Sequence, residues 1–410
     1  MYFVTENSLM KIFSLLPNTG LDRLTFHLDG IMIYAILLLN IKLNKLLNTL
    51  TGSNCIVWSI DYLASNGVQF ICSGSGDKSV RVWDLKTNEQ IRCFNEHSAT
   101  VFCVKFSQHH KINLNRDVIC SSSQDKTIRF WDVDNNKQLK ILNGHNGGVF
   151  CIGFSPLEGG RYLFSGSSDN TIRVWNVQRA NLLYTYTGHT NIVRCLDCSP
   201  VQTNSGSGYI ICSGSNDKTV RAWDIETGRQ FMAFHGHSEG ITSVKFGSNE
   251  LGYYGGSNLI ISGALDKIIR LWDIRHQKHI GSFYGHNCAI YDIEFSPFII
   301  NNNDICCNSN VICSASHDNT LRFWDLRSCS KELYVHRGDK DDNGILITIY
   351  VYQQKKDNFV FGDKFKFVFV KCPIFQFISK YLFLILLLIN MFDFSFRRAL
   401  KINVQNKTKK

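Results

Sequence analysis

Ser213 to Asp224 reads SGSNDKTVRAWD, and five further stretches repeat it: SGSGDKSVRVWD (Ser73–Asp84), SSSQDKTIRFWD (Ser121–Asp132), SGSSDNTIRVWN (Ser165–Asn176), SGALDKIIRLWD (Ser262–Asp273) and SASHDNTLRFWD (Ser314–Asp325). Each keeps Ser, then Asp four residues on, then Trp six residues after that. The tryptophans Trp83, Trp131, Trp175, Trp223, Trp272 and Trp324 stand 44 to 52 residues apart. Such a period belongs to propellers and other repeat arrays rather than to a single wound domain. A second mark precedes most copies: Glu96-His97, Gly144-His145, Gly188-His189, Gly236-His237 and Gly285-His286.

One repeat, His189 to Gly236, shows what the unit is. NIVRCLDCS alternates apolar and polar residues, YIICSGS is a short β-rich run, TVRAWDI alternates again and RQFMAFH closes the unit, with Ser-Gly, Asn-Asp and Glu-Thr-Gly between them. These are four short strands. A four-stranded sheet of this size cannot bury both faces alone, so the units must stack, and radial stacking leaves few open edges.

On these residues the units resemble WD40 repeats, over roughly residues 41 to 345. The resemblance implies an all-β propeller in which one His, Ser, Asp and Trp per blade form a hydrogen-bonded tetrad. Carried onto this chain the sets are His97, Ser121, Asp125 and Trp131; His145, Ser165, Asp169 and Trp175; His189, Ser213, Asp217 and Trp223; His237, Ser262, Asp266 and Trp272; and His286, Ser314, Asp318 and Trp324. Trp only donates, ionised Asp only accepts, and His and Ser do both, so such a chain of four satisfies every member. The first unit has Ser73, Asp77 and Trp83, but Ser53 stands where His is expected.

Recurrence also argues against catalysis. Ser, His and Asp suggest a hydrolase triad, yet all three return in five units, which fits a structural motif better than an active site. SGSGD lacks a following helix and the Lys-Ser/Thr pair of a phosphate loop. Cys72, Cys120, Cys212 and Cys313 precede the repeat serine, and Cys103, Cys151 and Cys195 lie six residues after the histidine position, where small buried side chains are wanted. Cys195 and Cys198 form a lone C-x-x-C whose members alternate across a strand, so no metal and no cofactor is expected. Fifteen cysteines without a signal peptide point to a reducing, cytoplasmic setting.

The net charge of +10 is uneven. Residues 346–410 carry +9 and residues 1–40 carry −1, leaving +2 for the repeats. No nucleic-acid footprint is expected on the propeller.

Three regions follow: an extension over 1–40, a propeller over 41–371 with clear repeats from about 53 to 335, and a hydrophobic then basic tail over 372–410. KLNKLLNTLTG (Lys42–Gly52) matches the last strand of a unit, and strand 41–51 is expected to close the ring by joining a degenerate seventh blade at 345–371. There ILITIYVY (Ile345–Tyr352), NFVFG (Asn358–Gly362) and KFKFVFVK (Lys364–Lys371) supply strands, with Phe359 and Phe369 where Ser and Trp would stand, and His336 and Asp363 near their places. Six blades plus an unrelated tail is the other reading. Residues 372–392, CPIFQFISKYLFLILLLINMF, have the length of a membrane span but hold Lys380 near the middle.

In WD40 propellers the narrow face commonly receives partner peptides, through residues just after the His mark and just before the turn Asp. Five residues after the His position stand Trp58, Phe102, Phe150, Arg194, Thr242 and Tyr291; before the Asp stand Gly76, Gln124, Ser168, Asn216, Leu265 and His317. Trp58, Phe102, Phe150, Arg194 and Tyr291 are of the types that anchor interfaces. Phe102 and Phe150 either hold an Arg or methylated Lys side chain by cation–π contact or pack within the first strand. The recurring Arg81, Arg129, Arg173, Arg221, Arg270 and Arg322 are expected to pair within or between blades. The function expected is a non-enzymatic scaffold binding proteins or peptides in a larger complex. The alternative is a membrane-tethered scaffold anchored by 372–392.

Overall fold

The computed structural model describes residues 52–337, apart from 53–54, 66–67, 88, 157–158, 200–209, 226, 248–258, 297–310 and 327–331, together with the strands Leu346–Gln354 and Lys364–Lys371. The expected extension 1–40, the closing strand 41–51 and the segment 372–392 lie outside the described residues.

Six four-stranded antiparallel sheets follow one another along the chain. The first is Val57–Ser65, Val68–Ser75, Val80–Asp84 and Glu89–Phe94; the second Val101–Phe106, Val118–Ser123, Ile128–Asp132 and Lys137–Leu142; the third Val149–Phe154, Tyr162–Ser167, Ile172–Asn176 and Asn181–Tyr186. The fourth is Val193–Cys198, Ile210–Ser215, Thr219–Asp224 and Gln230–His235; the fifth Ile241–Phe246, Leu259–Ala264, Ile269–Asp273 and Lys278–Phe283; the sixth Ile290–Ser296, Val311–Ser316, Thr320–Asp325 and Glu332–Arg337. First strands of consecutive sheets lie side by side from the first sheet to the sixth, and each second strand packs on the next first strand. The sheets are therefore the blades of a propeller, with the first strand of each innermost. Leu346–Gln354 and Lys364–Lys371 pair as a two-stranded sheet; the described residues form six blades, not the seven expected from the sequence.

The tryptophans explain why the blades stack. At most joints the end of the outer strand sets a ring against the tryptophan of the following blade: Phe94 stacks on Trp131 at 5.0 Å, Tyr186 on Trp223 at 5.9 Å, and Phe234 lies tilted 5.2 Å from Trp272, with Leu142 at the corresponding place before Trp175. Trp131, Trp223, Trp272 and Trp324 are fully buried or nearly so. Removing one such side chain costs about 3–5 kcal/mol, so the repeat period is also the period of the core.

Tight turns between second and third strands place Lys78, Lys126, Lys218 and Lys267 in the left-handed region at φ of 70° to 73°, with Asn170 and Asn319 at the same place in two blades. The Asp before each makes this tolerable, because its carboxylate accepts the backbone N–H two residues on, as Asp217 does from Thr219 at 3.0 Å. A short helix, Gln108–Leu114, interrupts the second blade after its inner strand. It lies at the end opposite these turns and was not expected from the repeat pattern.

Candidate functional site

Five tetrads have the geometry that their donors and acceptors require. In the fourth blade the Trp223 indole N–H donates to Ser213 Oγ at 2.8 Å, Ser213 Oγ meets His189 Nε2 at 2.7 Å, and His189 Nδ1 meets Asp217 at 2.7 Å. The same three contacts hold His97, Ser121, Asp125 and Trp131, His145, Ser165, Asp169 and Trp175, His237, Ser262, Asp266 and Trp272, and His286, Ser314, Asp318 and Trp324. The ionised carboxylate can only accept, so the histidine Nδ1 carries the hydrogen of that bond, and the serine hydroxyl joins Nε2 to the tryptophan N–H.

The second carboxylate oxygen is occupied too. On it Asp217 accepts the Thr219 hydroxyl at 2.6 Å and the Thr219 backbone N–H at 3.0 Å, while the oxygen that meets His189 also accepts the Thr190 backbone N–H at 3.1 Å. Burial pushes these carboxyls up, but the His and Thr hydrogen bonds outweigh it and hold Asp125, Asp169, Asp217 and Asp318 far below the usual carboxylate range. A serine whose proton is committed to a buried histidine, with no face open to a substrate, has the chemistry of a fastener rather than a nucleophile.

The first blade differs. Trp83 still donates to Ser73 at 3.2 Å, while Asp77 takes Arg81 at 2.8 Å. Ser53 lies outside the described residues.

A different set of side chains forms the candidate surface. Trp58, Phe102, Phe150, Arg194, Thr242 and Tyr291 are each the residue skipped where the ladder between the inner and second strands shifts register. A bulge leaves such a residue unpaired and re-aims its side chain. The backbone N–H groups of Gln124, Ser168, Asn216, Leu265 and His317 donate to carbonyls just upstream of these bulges, as Asn216 does to Ile192 at 2.9 Å. Bulges and turn residues therefore share one rim.

Four of the five expected anchors are brought together. Trp58 meets Phe102 edge-on at 5.7 Å, Phe102 stacks on Phe150 at 4.2 Å and 12°, and the Arg194 guanidinium lies 6.0 Å over the Phe150 ring. Arg194 Nε also donates to Asn216 Oδ1. Thr242 ends the row, because its hydroxyl is turned onto the Ile290 and Gly263 carbonyls. Tyr291 stands apart beside His317 at 6.1 Å. Rings stacked at 4.2 Å leave no space between them, and the cation beside them is the chain's own Arg194, over Phe150. The exposed lysines Lys78, Lys126, Lys218 and Lys267 of the tight turns lie on the same rim. Their place directly after the turn Asp, in DKS, DKT and DKI, is the sequence signal that marks them.

Among the described residues no group of three or more His, Cys, Asp or Glu is placed to hold a metal, and no helix is long and apolar enough to cross a membrane. The Cys195 thiol points at the Gly214 carbonyl, and burial pushes both Cys195 and Cys198 well above the ordinary thiol range, so neither is a ready thiolate.

Six segments, 44–84, 88–132, 136–176, 180–224, 228–273 and 277–325, match the family model described as WD domain, G-beta repeat. Mitochondrial division protein 1 of Mycosarcoma maydis is 46% identical over 48 residues, 11% of this chain and 6% of that protein. WD repeat-containing protein pop1 of Schizosaccharomyces pombe is 32% identical over 76 residues, 18% of this chain and 9% of that protein. The aligned stretches thus span less than a tenth of either relative.

Proposed function

Because the chain belongs to the WD40 family, whose repeats match most of its length, we propose that it is a non-enzymatic scaffold that binds protein or peptide segments across the rim carrying Trp58, Phe102, Phe150 and Arg194, within a multiprotein complex. The observation that carries this reading is the continuous row from Trp58 to Arg194. Its members are half-buried, so they offer aromatic area already fixed in place, and rigid aromatic and Arg groups are what interfaces use as anchors. The Ser, His and Asp that would suggest hydrolysis are tied into tetrads instead. A reducing, cytoplasmic setting fits the many unbridged cysteines.

The experiment is affinity capture with the full chain from extracts, comparing wild type with Phe150→Ala/Arg194→Ala. The expected result is a stable set of proteins retained by wild type and lost by the double variant, with an unchanged melting temperature. An identical set on both would remove the rim from consideration. Washing membranes with carbonate separates the alternative, since a tether through 372–392 keeps the chain with the lipid.

The two strands beyond the sixth blade, Leu346–Gln354 and Lys364–Lys371, support a seventh blade closed by strand 41–51. Side-by-side packing of inner strands runs from the first blade to the sixth and does not continue from the sixth to the first among the described residues. Deleting 345–371 is expected to lower the melting temperature of the whole ring; an unchanged melt would favour six blades.

A further inference from the structure

Five of the six third-strand arginines find an acceptor within their own blade. Arg129 donates to Gln138 at 2.7 Å, Arg221 to Gln230 at 2.6 Å, Arg322 to Glu332, Arg81 to Asp77, and Arg270 to Ser282 at 3.3 Å. Arg173 in the third blade has none among the described residues; its buried Nε is without a partner, as is that of Arg270, whereas the Nε groups of Arg129, Arg221 and Arg322 donate to Thr127, Thr219 and Thr320. For the terminal nitrogen the cause is one side chain. The outer-strand residue opposite the tryptophan is Gln138, Gln230 and Glu332 in the second, fourth and sixth blades, but Leu182 opposite Trp175 in the third. The guanidinium still occupies the common position, close against Gly144, where a Cβ would lie 2.6 Å from it.

The same outer strand, Asn181–Tyr186, is unusual as an edge. Its sequence NLLYTY carries no charge, and Leu182 and Tyr184 are 38% and 49% exposed. Edge strands are normally guarded by charges, as by the exposed Glu89, Lys137 and Lys278 on other blades. The outer strand Gln230–His235 is also uncharged, but there Gln230 satisfies the arginine.

We propose that the outer edge of the third blade is a second docking site, separate from the rim, which takes an extended partner segment bearing a carboxylate side chain. The carboxylate fills the place of the missing Gln on Arg173, and a charge-assisted bond of this kind is stronger than the amide bond of the sister blades. The backbone of the segment adds to Asn181–Tyr186 as a fifth strand, and its apolar residues cover Leu182 and Tyr184.

The test is selection of a random dodecapeptide phage library on the full chain, followed by binding of the selected synthetic peptides to wild type, Leu182→Gln and Leu182→Ile. Leu182→Gln restores the internal acceptor, whereas Leu182→Ile does not. The expected result is peptides containing Asp or Glu that bind wild type and Leu182→Ile alike and Leu182→Gln about ten- to a hundredfold more weakly, with the same loss when their acid is replaced by its amide. Leu182→Gln should also melt higher than wild type. Binding by this edge should be unaffected by Phe150→Ala/Arg194→Ala, so failure of the rim and failure of the edge are read separately. Selected peptides that bind Leu182→Gln as tightly as wild type, or a selection without acidic, Leu182→Gln-sensitive peptides, overturn the proposal.

Discussion

Arg81 donates to Asp77 at 2.8 Å, on the carboxylate oxygen that takes a histidine in each of the other five blades. Ser79 donates its hydroxyl to the other oxygen. Burial raises the Asp77 carboxyl, but these bonds outweigh it and hold the group down to about 2. The first blade thus keeps its turn carboxylate ionised with a cation from its own third strand, and the missing histidine does not leave a buried charge alone.

We expect Arg81→Gln to destabilise the protein by about 1–3 kcal/mol at pH 7, the cost of a half-desolvated carboxylate losing its charged donor. The sign with pH follows from a folded value below the unfolded one. The stabilisation is present above the unfolded carboxylate value near 4 and is lost as pH falls from there through about 2. Denaturant midpoints of wild type and Arg81→Gln should differ at pH 7 and converge in acid. A constant gap would show that the loss is one of packing.

The tetrads should make the whole ring acid-labile. Asp125, Asp169, Asp217 and Asp318 are all held low, so protonating them becomes steadily more favourable in the unfolded chain as pH falls below 4. His189 is also depressed, chiefly by burial, so its contribution is present above the unfolded value near 6.5 and begins to be lost below it. Thermal melts should fall between pH 7 and 5.5, and more steeply below 4. Asp217→Asn should cost about 1–3 kcal/mol at pH 7 and flatten the acid limb. Equal slopes for variant and wild type would contradict this origin.

Charges between inner strands form a second, less regular system. Lys245 meets Glu294 of the next blade at 2.7 Å, and Asp197 of the preceding blade accepts the Phe246 backbone N–H at 2.8 Å. Burial pulls the Lys245 ammonium down, but Glu294, Asp197 and Asp292 outweigh it and lift it well above the ordinary lysine range. Burial raises the Asp197 carboxyl, with Lys245 opposing. We expect Lys245→Met to cost about 1–3 kcal/mol at pH 7, because it strands carboxylates in a partly desolvated joint. The deficit should shrink as pH falls and Asp197, raised by burial, takes up a proton. A deficit that persists unchanged in denaturant titrations at pH 4 would rule out this cause.

How much of this could be read from the residues alone depends on whether a feature is periodic. The Ser, Asp and Trp marks recur because each blade needs the same turn, fastener and core ring, so the six blades were legible without coordinates. Departures from the period were legible only as letters. Ser53 marked a missing histidine, but not that Arg81 would swing to Asp77. Leu182 falls opposite Trp175 because the ladder shifts between Val174 and Trp175, a register that the sequence does not display, so the arginine it leaves without an acceptor was grouped with five paired ones. Phe102 and Phe150 fall at one place in the repeat, yet only the spacing of their rings shows that they stack on each other.

Asn216 offers the sharpest test of how the rim row works. Its side-chain oxygen accepts Arg194 Nε, and a Cβ on Gly240 would lie 2.7 Å from that oxygen, so the amide is held from behind by close backbone. Arg194 is thereby fixed by a hydrogen bond along its edge and by the Phe150 ring beneath it, with its terminal nitrogens directed at no acceptor among the described residues. Asn216 is a positioning residue, and an immobilised rotamer-rich side chain is worth about 0.5–1.5 kcal/mol to binding when its ordering is prepaid. Asn216→Ala should therefore weaken partner capture about two- to tenfold while moving the melting temperature little. Arg194→Lys should fail to restore binding to the wild-type level, because lysine offers neither the planar stack on Phe150 nor the Nε contact. If Asn216→Ala bound normally while Arg194→Ala did not, Arg194 would act as a simple charge, and Arg194→Lys should then retain most of the affinity.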